Sequence, residues 1–303
     1  MKIRLALALI RFLSWLPLPL LYHAARLPAA LLYRLPWRKH RIIRANLQIA
    51  FPELNSAQRE QLHRQHLVEM IRLALESGAV WRWSAERLQA HVRDVEGWQH
   101  VEAAGQKGHG VLLIGAHFGN WETCALLVSL RGPFSGLYKA PRDAELDRAI
   151  TRSRQRFGAR LIATGSPAMR GLLRELKAGG TVGLLMDQLP RQGEGVYAPF
   201  FGRPALTMSL VHRLARHTGC AVIFGNAERL PGGAGWRLLF EPVSAAAVHQ
   251  DDPLVATTAI NAQLEQLIRK KPAQYLWLYK RFALPPPGLA DPYQSDGDRE
   301  EIK

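Results

Sequence analysis

Apolar residues along the 303-residue chain fall into two textures. From about residue 56 to 92 they recur at helical spacing, with Leu67, Met70, Ile71, Ala74 and Leu75 at the i, i+3, i+4, i+7 and i+8 positions of one face. Ser56 stands where a cap would start that helix, with Arg59 and Glu60 in its first turn. Beyond Gly97 short apolar runs take over: GVLLIG (110–115), TVGLLM (181–186), CAVIFG (220–225) and WRLLFEPV (236–243). Helical stretches near 120–131, 144–157, 167–178, 207–218 and 253–271 lie between and after them. Strands alternating with helices predict an α/β fold, a mixed, largely parallel sheet flanked by helices. Polar residues fall just past the strands, His117 after the first and Asp187-Gln188 after the second. Open α/β sheets place their sites at such strand ends.

The first 48 residues differ. LALALIRFLSWLPLPLLYHAARLPAALLY (5–33) is apolar and aromatic, but Arg11, His23 and Arg26 interrupt it and Pro17, Pro19 and Pro28 break any continuous helix. A bilayer span needs about 20 uninterrupted apolar residues, so this segment is expected to be an apolar helical membrane anchor of interfacial or marginal type, with Trp15, Tyr22, Tyr33 and Trp37 at headgroup depth. The early Arg11 argues against a cleaved signal peptide. RLPWRKHRIIR (34–44) follows; beside an anchor it attracts anionic lipid at about 1 kcal/mol per basic residue and marks the cytoplasmic side, while the bland reading is a solvated basic helix face. The expected organisation is therefore 1–48 anchor and basic segment, 49–284 α/β domain, and 285–303 an extended or disordered proline-rich tail.

Charge narrows the partners. Forty Lys and Arg against 25 Asp and Glu give a net charge of +15, which calls for an anionic partner: a membrane surface, a nucleic acid, or an acidic protein or substrate. No nucleic-acid module is recognisable, so nucleic acid is the least favoured of these. Cys124 and Cys220 sit in apolar stretches and read as buried thiols rather than a disulfide framework.

The chemistry concentrates in GAHFGNWE (115–122). A histidine in the strand-to-helix loop and a glutamate in the first turn of the next helix can form a general-base pair, the carboxylate fixing the tautomer of the imidazole. Asn120 suits the N-cap, Gly115 and Gly119 suit tight turns, and the loop's N–H groups offer donors to a developing oxyanion. The bland alternatives are a helix-dipole glutamate and a structural histidine. No metal-ligand spacing or serine elbow is present in the sequence. Arg148, Arg152 and Arg156 form an i, i+4, i+8 stripe that reads as solvated, whereas Arg154 shares the opposite face with Ile150 and Phe157 and needs an anionic partner.

HFGNWE after GVLLIGA resembles the lipid A biosynthesis late acyltransferase family, within the wider glycerolipid acyltransferase group. The likeness extends through GLYKAPRDAELDRAITRSRQRFGA (136–159), LKAGGTVGLLMDQ (176–188), YAPFFGRPA (197–205), LARHTGCAVI (214–223) and PAQYLWLYKRF (272–282). The resemblance implies that His117 is the catalytic base, Glu122 the carboxylate that orients it, and Arg154 and Asp187 functional residues on the substrate side. It implies acyl carrier protein as donor, a phosphorylated glucosamine lipid as acceptor, anionic membrane lipids as surroundings, no cofactor or metal, and a place at the cytoplasmic face of a bacterial inner membrane. Lys139 and Tyr279-Lys280 depart from the family's usual Tyr-Arg and Trp-x-His-Arg-Arg elements, and lysine lacks the bidentate guanidinium fork. An acyltransferase acting on another membrane acceptor and a non-catalytic membrane-binding protein are the competing readings.

Overall fold

The computed structural model describes residues 2–165 and 168–294. The chain opens with the helices α1 (Lys2–Leu13), α2 (Leu18–Ala24), α3 (Arg26–Arg34), α4 (Lys39–Ala50), the long α5 (Ser56–Arg82) and the short α6 (Ala85–Ala90). Strands and helices then alternate: β1 (Val92–Glu96), α7 (Trp98–Gln106), β2 (Val111–Gly115), α8 (Trp121–Ser129), β3 (Phe134–Tyr138), α9 (Ala144–Gln155), β4 (Arg160–Ala163), α10 (Ala168–Lys177) and β5 (Thr181–Leu185). A separate antiparallel hairpin, β6 (Gly195–Phe200) and β7 (Arg203–Met208), precedes α11 (Leu210–Thr218), β8 (Ala221–Arg229), β9 (Trp236–Pro242), α12 (Ala245–Val248) and α13 (Pro253–Lys270).

Seven strands form one sheet in the order β1-β9-β8-β2-β5-β3-β4. Every neighbouring pair is parallel except β8–β9, so the expected mixed, largely parallel sheet is what the chain builds. Side-chain alternation divides β2 between two cores. Leu112 and Ile114 join Val182, Leu184, Val222 and Phe224 under α4, α10, α11 and α13, while Val111 and Leu113 join Ile223 and Phe134 under α2, α7 and α8. A strand buried on both faces has no polar side to show, which is why these runs read as continuously apolar.

Local signals place the helix ends with two corrections. The cap of α5 is Asn55, not Ser56: its side chain accepts from the Gln58 N–H while the Gln58 side chain accepts from the Asn55 N–H, a reciprocal capping box. The expected helix over 56–92 also stops at Trp83, and Ser84 caps α6 before β1 takes over. The buried face of α5 is not purely apolar, because His63, His66 and Glu76 lie on it beside Leu62, Leu67 and Ala79.

The amino-terminal segment, expected to be an apolar helical anchor of interfacial or marginal type, does not form a separate anchor. No helix among the described residues is long and apolar enough to cross a membrane. Instead, the chain breaks before Pro17 and again at Ala25, and the pieces fold against the body. Leu13, Leu18, Leu21, Tyr22, Ala25 and Ala29 are buried, with α1 and α3 packed on α5. The opposite face leaves Leu5, Leu9, Phe12, Trp15, Leu20, Leu27, Leu31 and Leu35 exposed, each by more than half. In the basic segment α4 buries Ile42, Ile43, Asn46 and Leu47 and turns Arg41 and Arg44 outward, and Arg34 and Arg38 ahead of it are exposed as well. At the other end, the expected disorder from residue 285 does not hold through 294. Tyr293 is buried and its hydroxyl accepts from the Phe282 N–H while donating to Asn46. Residues 295–303 of the expected tail lie outside the described residues.

One buried ionic network ties these layers together. Glu76, fully buried on α5, accepts from the Tyr22 hydroxyl of α2, from Asn120 Nδ2 at 2.6 Å and from Arg229 Nε at 2.9 Å. Arg229, itself buried on β8, also reaches Glu69 at 3.3 Å and donates to the Gly119 carbonyl at 2.7 Å. Removing one member of such a set leaves an uncompensated charge in a region with no water to answer it. Glu76→Ala is expected to cost about 3–5 kcal/mol, read as a lower urea midpoint at unchanged slope. Tyr22→Phe, which removes only one charge-assisted bond, is expected to cost about 1.5–3 kcal/mol in the same measurement.

Candidate active site

Strands β2 and β5 are parallel neighbours with Gly115 opposite Leu185. Two residues beyond each strand end stand His117 and Asp187, so equal offsets from a shared register deliver them to one place at the carboxyl edge of the sheet. The Met186 N–H continues the ladder to the Gly115 carbonyl at 2.9 Å. Asp187 then takes both donors of His117: Oδ2 accepts the backbone N–H at 2.9 Å, and Oδ1 lies 2.8 Å from Nδ1. A carboxylate at Nδ1 keeps the proton on that nitrogen and leaves the lone pair on Nε2. Gln188 Nε2 is 3.2 Å from that Nε2 and donates to it.

The loop carrying His117 is stitched on both sides. The Leu276 N–H donates to the His117 carbonyl at 3.0 Å, the Gly119 N–H to Gln274 at 3.1 Å, and the Asn120 N–H to Ala227 at 2.8 Å. Gly119 has φ +56, and a Cβ there would sit 2.0 Å from the Ala227 carbonyl oxygen, so only glycine permits this approach to β8. Asn120 caps α8 by accepting the Thr123 N–H at 3.2 Å, as expected of it. The expectation that this loop's N–H groups face an oxyanion fails for residues 117–120. His117 gives its N–H to Asp187 and Phe118 to Ala116, while the other two are spent as above.

Burial opposes protonation of His117, but the charge of Asp187, the hydrogen bond to it and the charge of Glu122 together outweigh burial and raise the imidazole above its ordinary 6.5. Asp187 is nearly inaccessible, and burial alone would raise its pKa. The adjacent imidazole and the two His117 hydrogen bonds hold it below its ordinary value instead. Burial, together with the charge of Asp187, raises the Tyr275 phenol well above its ordinary value.

Glu122 lies in the first turn of α8, and its carboxylate pairs with Arg154 from the last turn of α9, through both Nε, at 2.9 Å, and an amino group. The carboxylate hydrogen-bonded to His117 is thus Asp187 and not Glu122, which the sequence reading gave that position. Glu122 contributes to the histidine through charge. Arg154 has the anionic partner its half-buried face requires, and that bond more than offsets the lowering effect of burial on its pKa. Of the arginine stripe, Arg148 and Arg152 are exposed as expected, but Arg156 turns in to donate to the Val80 and Ser153 carbonyls. Burial brings it down to about 10. Trp121 packs edge-to-face on His117, with centroids 4.8 Å apart.

Trp121, Glu122, Arg154 and Tyr138 also line a cavity of about 110 Å³ that runs between α8 and the sheet, otherwise bounded by apolar side chains, glycines and Ser129. Sequence reasoning missed the Glu76–Arg229 support and the function of Gln188 as the donor to Nε2. The signal for the first was an acidic residue on the apolar face of a helix. Among the described residues no three His, Cys, Asp or Glu side chains gather as a metal-binding group.

Comparison with known proteins identifies the family. A family model described as bacterial lipid A biosynthesis acyltransferase matches residues 2–283. A lipid A biosynthesis lauroyltransferase of Escherichia coli (strain K12) is 26% identical across 93% of this chain and 95% of its own length. A lipid A biosynthesis palmitoleoyltransferase of the same strain is 28% identical across 93% and 94%. A lipid A biosynthesis myristoyltransferase, again of that strain, is 23% identical across 82% and 76%. With the match spanning nearly its whole length, the chain belongs to the bacterial lipid A biosynthesis acyltransferase family.

Proposed function

We propose that this protein is a membrane-associated O-acyltransferase moving a fatty acyl group from an acyl carrier protein thioester to a hydroxyl of a phosphorylated glucosamine lipid, a lipid A precursor, at the cytoplasmic face of a bacterial inner membrane. The observation that carries this reading is an imidazole whose Nδ1 is held by a buried carboxylate, beside an apolar cavity with an ion pair at its mouth. The names of the relatives support the acceptor class. A net charge of +15 suits an acidic donor protein and an anionic surface alike.

In this mechanism Nε2 of His117 takes the proton of the acceptor hydroxyl, displacing the Gln188 amide that covers it at rest. The oxygen attacks the thioester carbonyl, the tetrahedral intermediate collapses, the C–S bond breaks, and the leaving thiolate takes the proton back from Nε2. No acyl-enzyme forms. Asp187 fixes the tautomer, and Asp187 and Glu122 together favour the transient imidazolium. Glu122 also neutralises Arg154, which faces the same cavity and stands close to the incoming anionic substrate.

Incubating the purified protein with a homologous series of acyl carrier protein thioesters and a tetra-acylated lipid A precursor should add one acyl mass to the acceptor. Transfer only to some other membrane lipid would overturn the acceptor assignment. His117→Ala should lower turnover by about 10²–10⁴-fold while circular dichroism still reports folded protein, and near-normal transfer by that variant would sink the mechanism.

The pH profile tests the orienting carboxylate. The base must be neutral, so the rate rises with pH through the His117 pKa, which lies above 6.5. Asp187→Asn removes the charge that raises it and leaves burial unopposed by that charge. The acid limb is therefore expected to move to lower pH while the plateau drops by about 10³–10⁴-fold. An unmoved limb would take Asp187 out of this role.

Membrane association rests on the exposed leucines of α1 to α3 beside the outward arginines of α4. Arg34→Ser with Arg38→Ser should weaken flotation with phosphatidylglycerol vesicles by about 30-fold, the sum of about 1 kcal/mol per basic residue. Leu27→Ser with Leu31→Ser should weaken it on neutral vesicles as well.

A further inference from the structure

The cavity has a direction. Helix α8 runs away from the site from Trp121 to Ser129, and β3 runs toward it from Phe134 to Tyr138. Glu122 and Tyr138 therefore mark the end near His117, and Ser129, Val128 and Phe134 the far end. Eight residues of helix and five of strand give the passage a length on the order of 11–13 Å. Its floor is made by glycines: Gly136 and Gly183 face each other across β3 and β5, and Gly115 and Gly225 lie toward the site on β2 and β8. Side chains at these positions would fill the passage. Phe134 already occupies the space at Gly183, its ring atoms falling 2.3 and 2.6 Å from where a Cβ would stand.

We propose that this passage receives the donor's acyl chain and that Phe134, seated on Gly183, is the stop that sets the chain length the enzyme prefers. The inference rests on the acyl-transfer reading above and goes beyond it by assigning the specificity-determining side chain. Three features carry it. The walls are apolar, so a methylene chain gains about 0.8 kcal/mol for each group it buries, or about fourfold in selectivity. The space above Gly183 is filled by a bulky ring, and not by backbone, so the room there is a matter of one side chain. The glycine under the ring is the only residue type compatible with it: any Cβ at Gly183 pushes the ring into the passage.

Two substitutions should act in opposite directions. Phe134→Leu shortens the stop and is expected to shift the ratio of kcat/KM values toward donors two methylenes longer by about 15-fold. Gly136→Ala adds a methyl that meets Phe134 at 3.5 Å and Leu161 at 3.6 Å, ordinary contacts that need no backbone shift, so the protein should fold and favour shorter donors by a similar factor. Competition among a homologous series of acyl carrier protein thioesters, read by product mass, gives the preference independently of total activity. Thermal denaturation checks that both variants fold. If both fold and keep the wild-type chain profile, or lose rate equally on every donor, the assignment of Phe134 is overturned. Binding of a homologous series of free fatty acids to the wild type and both variants separates the two layers of the argument. If wild-type protein transfers no acyl group from any donor, the acyl-transfer reading fails, while opposite shifts in fatty-acid binding would still uphold the passage and its stop. Unshifted binding would remove it.

Discussion

The in-register parallel pairing of β2 with β5 is the constraint on which the site depends. Parallel neighbours end on the same edge of a sheet, so residues at equal distances past their ends meet without any further device. His117 and Asp187 are such a pair, and the shared ladder extends one bond beyond the strands through Met186 to within a residue of each. A one-residue slip of β5 against β2 would bring Met186 or Gln188 opposite His117 and invert every buried side chain of β5. Leu184 and Val182 sit in one core while Gly183 lies under Phe134 on the other face, so the packing itself forbids the slip. Core packing thereby fixes the hydrogen bond that sets the tautomer of the imidazole.

The second half of the site is held by a different kind of force. The loop from His117 to Asn120 makes a short bridge to β8 at Ala227 and another to the segment around Tyr275, neither of which is a continuous ladder. What fixes its far end is the buried carboxylate of Glu76, which takes Asn120 Nδ2 while Asn120 Oδ1 caps α8. Such buried charges cost several kcal/mol to desolvate and hold together only when every member is satisfied. Glu76 has three donors and Arg229 has two carboxylates and a carbonyl, so the condition is met. The effect is geometric specificity: α8 begins at one orientation, and with it Glu122 and the roof of the cavity.

These two devices differ in how far they can be read from sequence. The four strands β2, β5, β8 and β9 stand out because each carries a buried stretch of consecutive apolar residues. The edge strands β1, VRDVE, and β4, RLIA, are half solvated and carry charges, and β3, FSGLY, carries a glycine, so their patterns are too short and mixed to announce strands. His117 and Asp187 were legible as polar residues after apolar runs. Their pairing was not, because it depends on strand order, and 70 residues separate them. Glu122, five residues from His117, looked like the natural partner; α8 turns it instead toward Arg154, 32 residues away on α9. Proximity in sequence suggested the pair, and the helix axis decided against it. Glu76 and Arg229, 153 residues apart, carried no local signal for each other at all.

The amino-terminal helices show the same logic at the surface. A continuous apolar helix of that composition would have only one stable environment, the interior of a bilayer. The break before Pro17 and the turn at Ala25 divide it into pieces with two faces, and the inner face is closed by residues that belong to the domain's own core, Leu18, Leu21 and Ala29 among them. The exposed leucines are therefore fixed in orientation relative to the sheet, which a flexible tether would not achieve. Tyr22 extends this rigidity inward, since its hydroxyl ends on Glu76, the carboxylate that also holds the Asn120 cap. The exposed apolar face and the loop that carries His117 thus share one buried anion. The position of α2 and the cap of α8 are therefore tied through a single side chain, because Tyr22 and Asn120 end on the same Glu76 carboxylate.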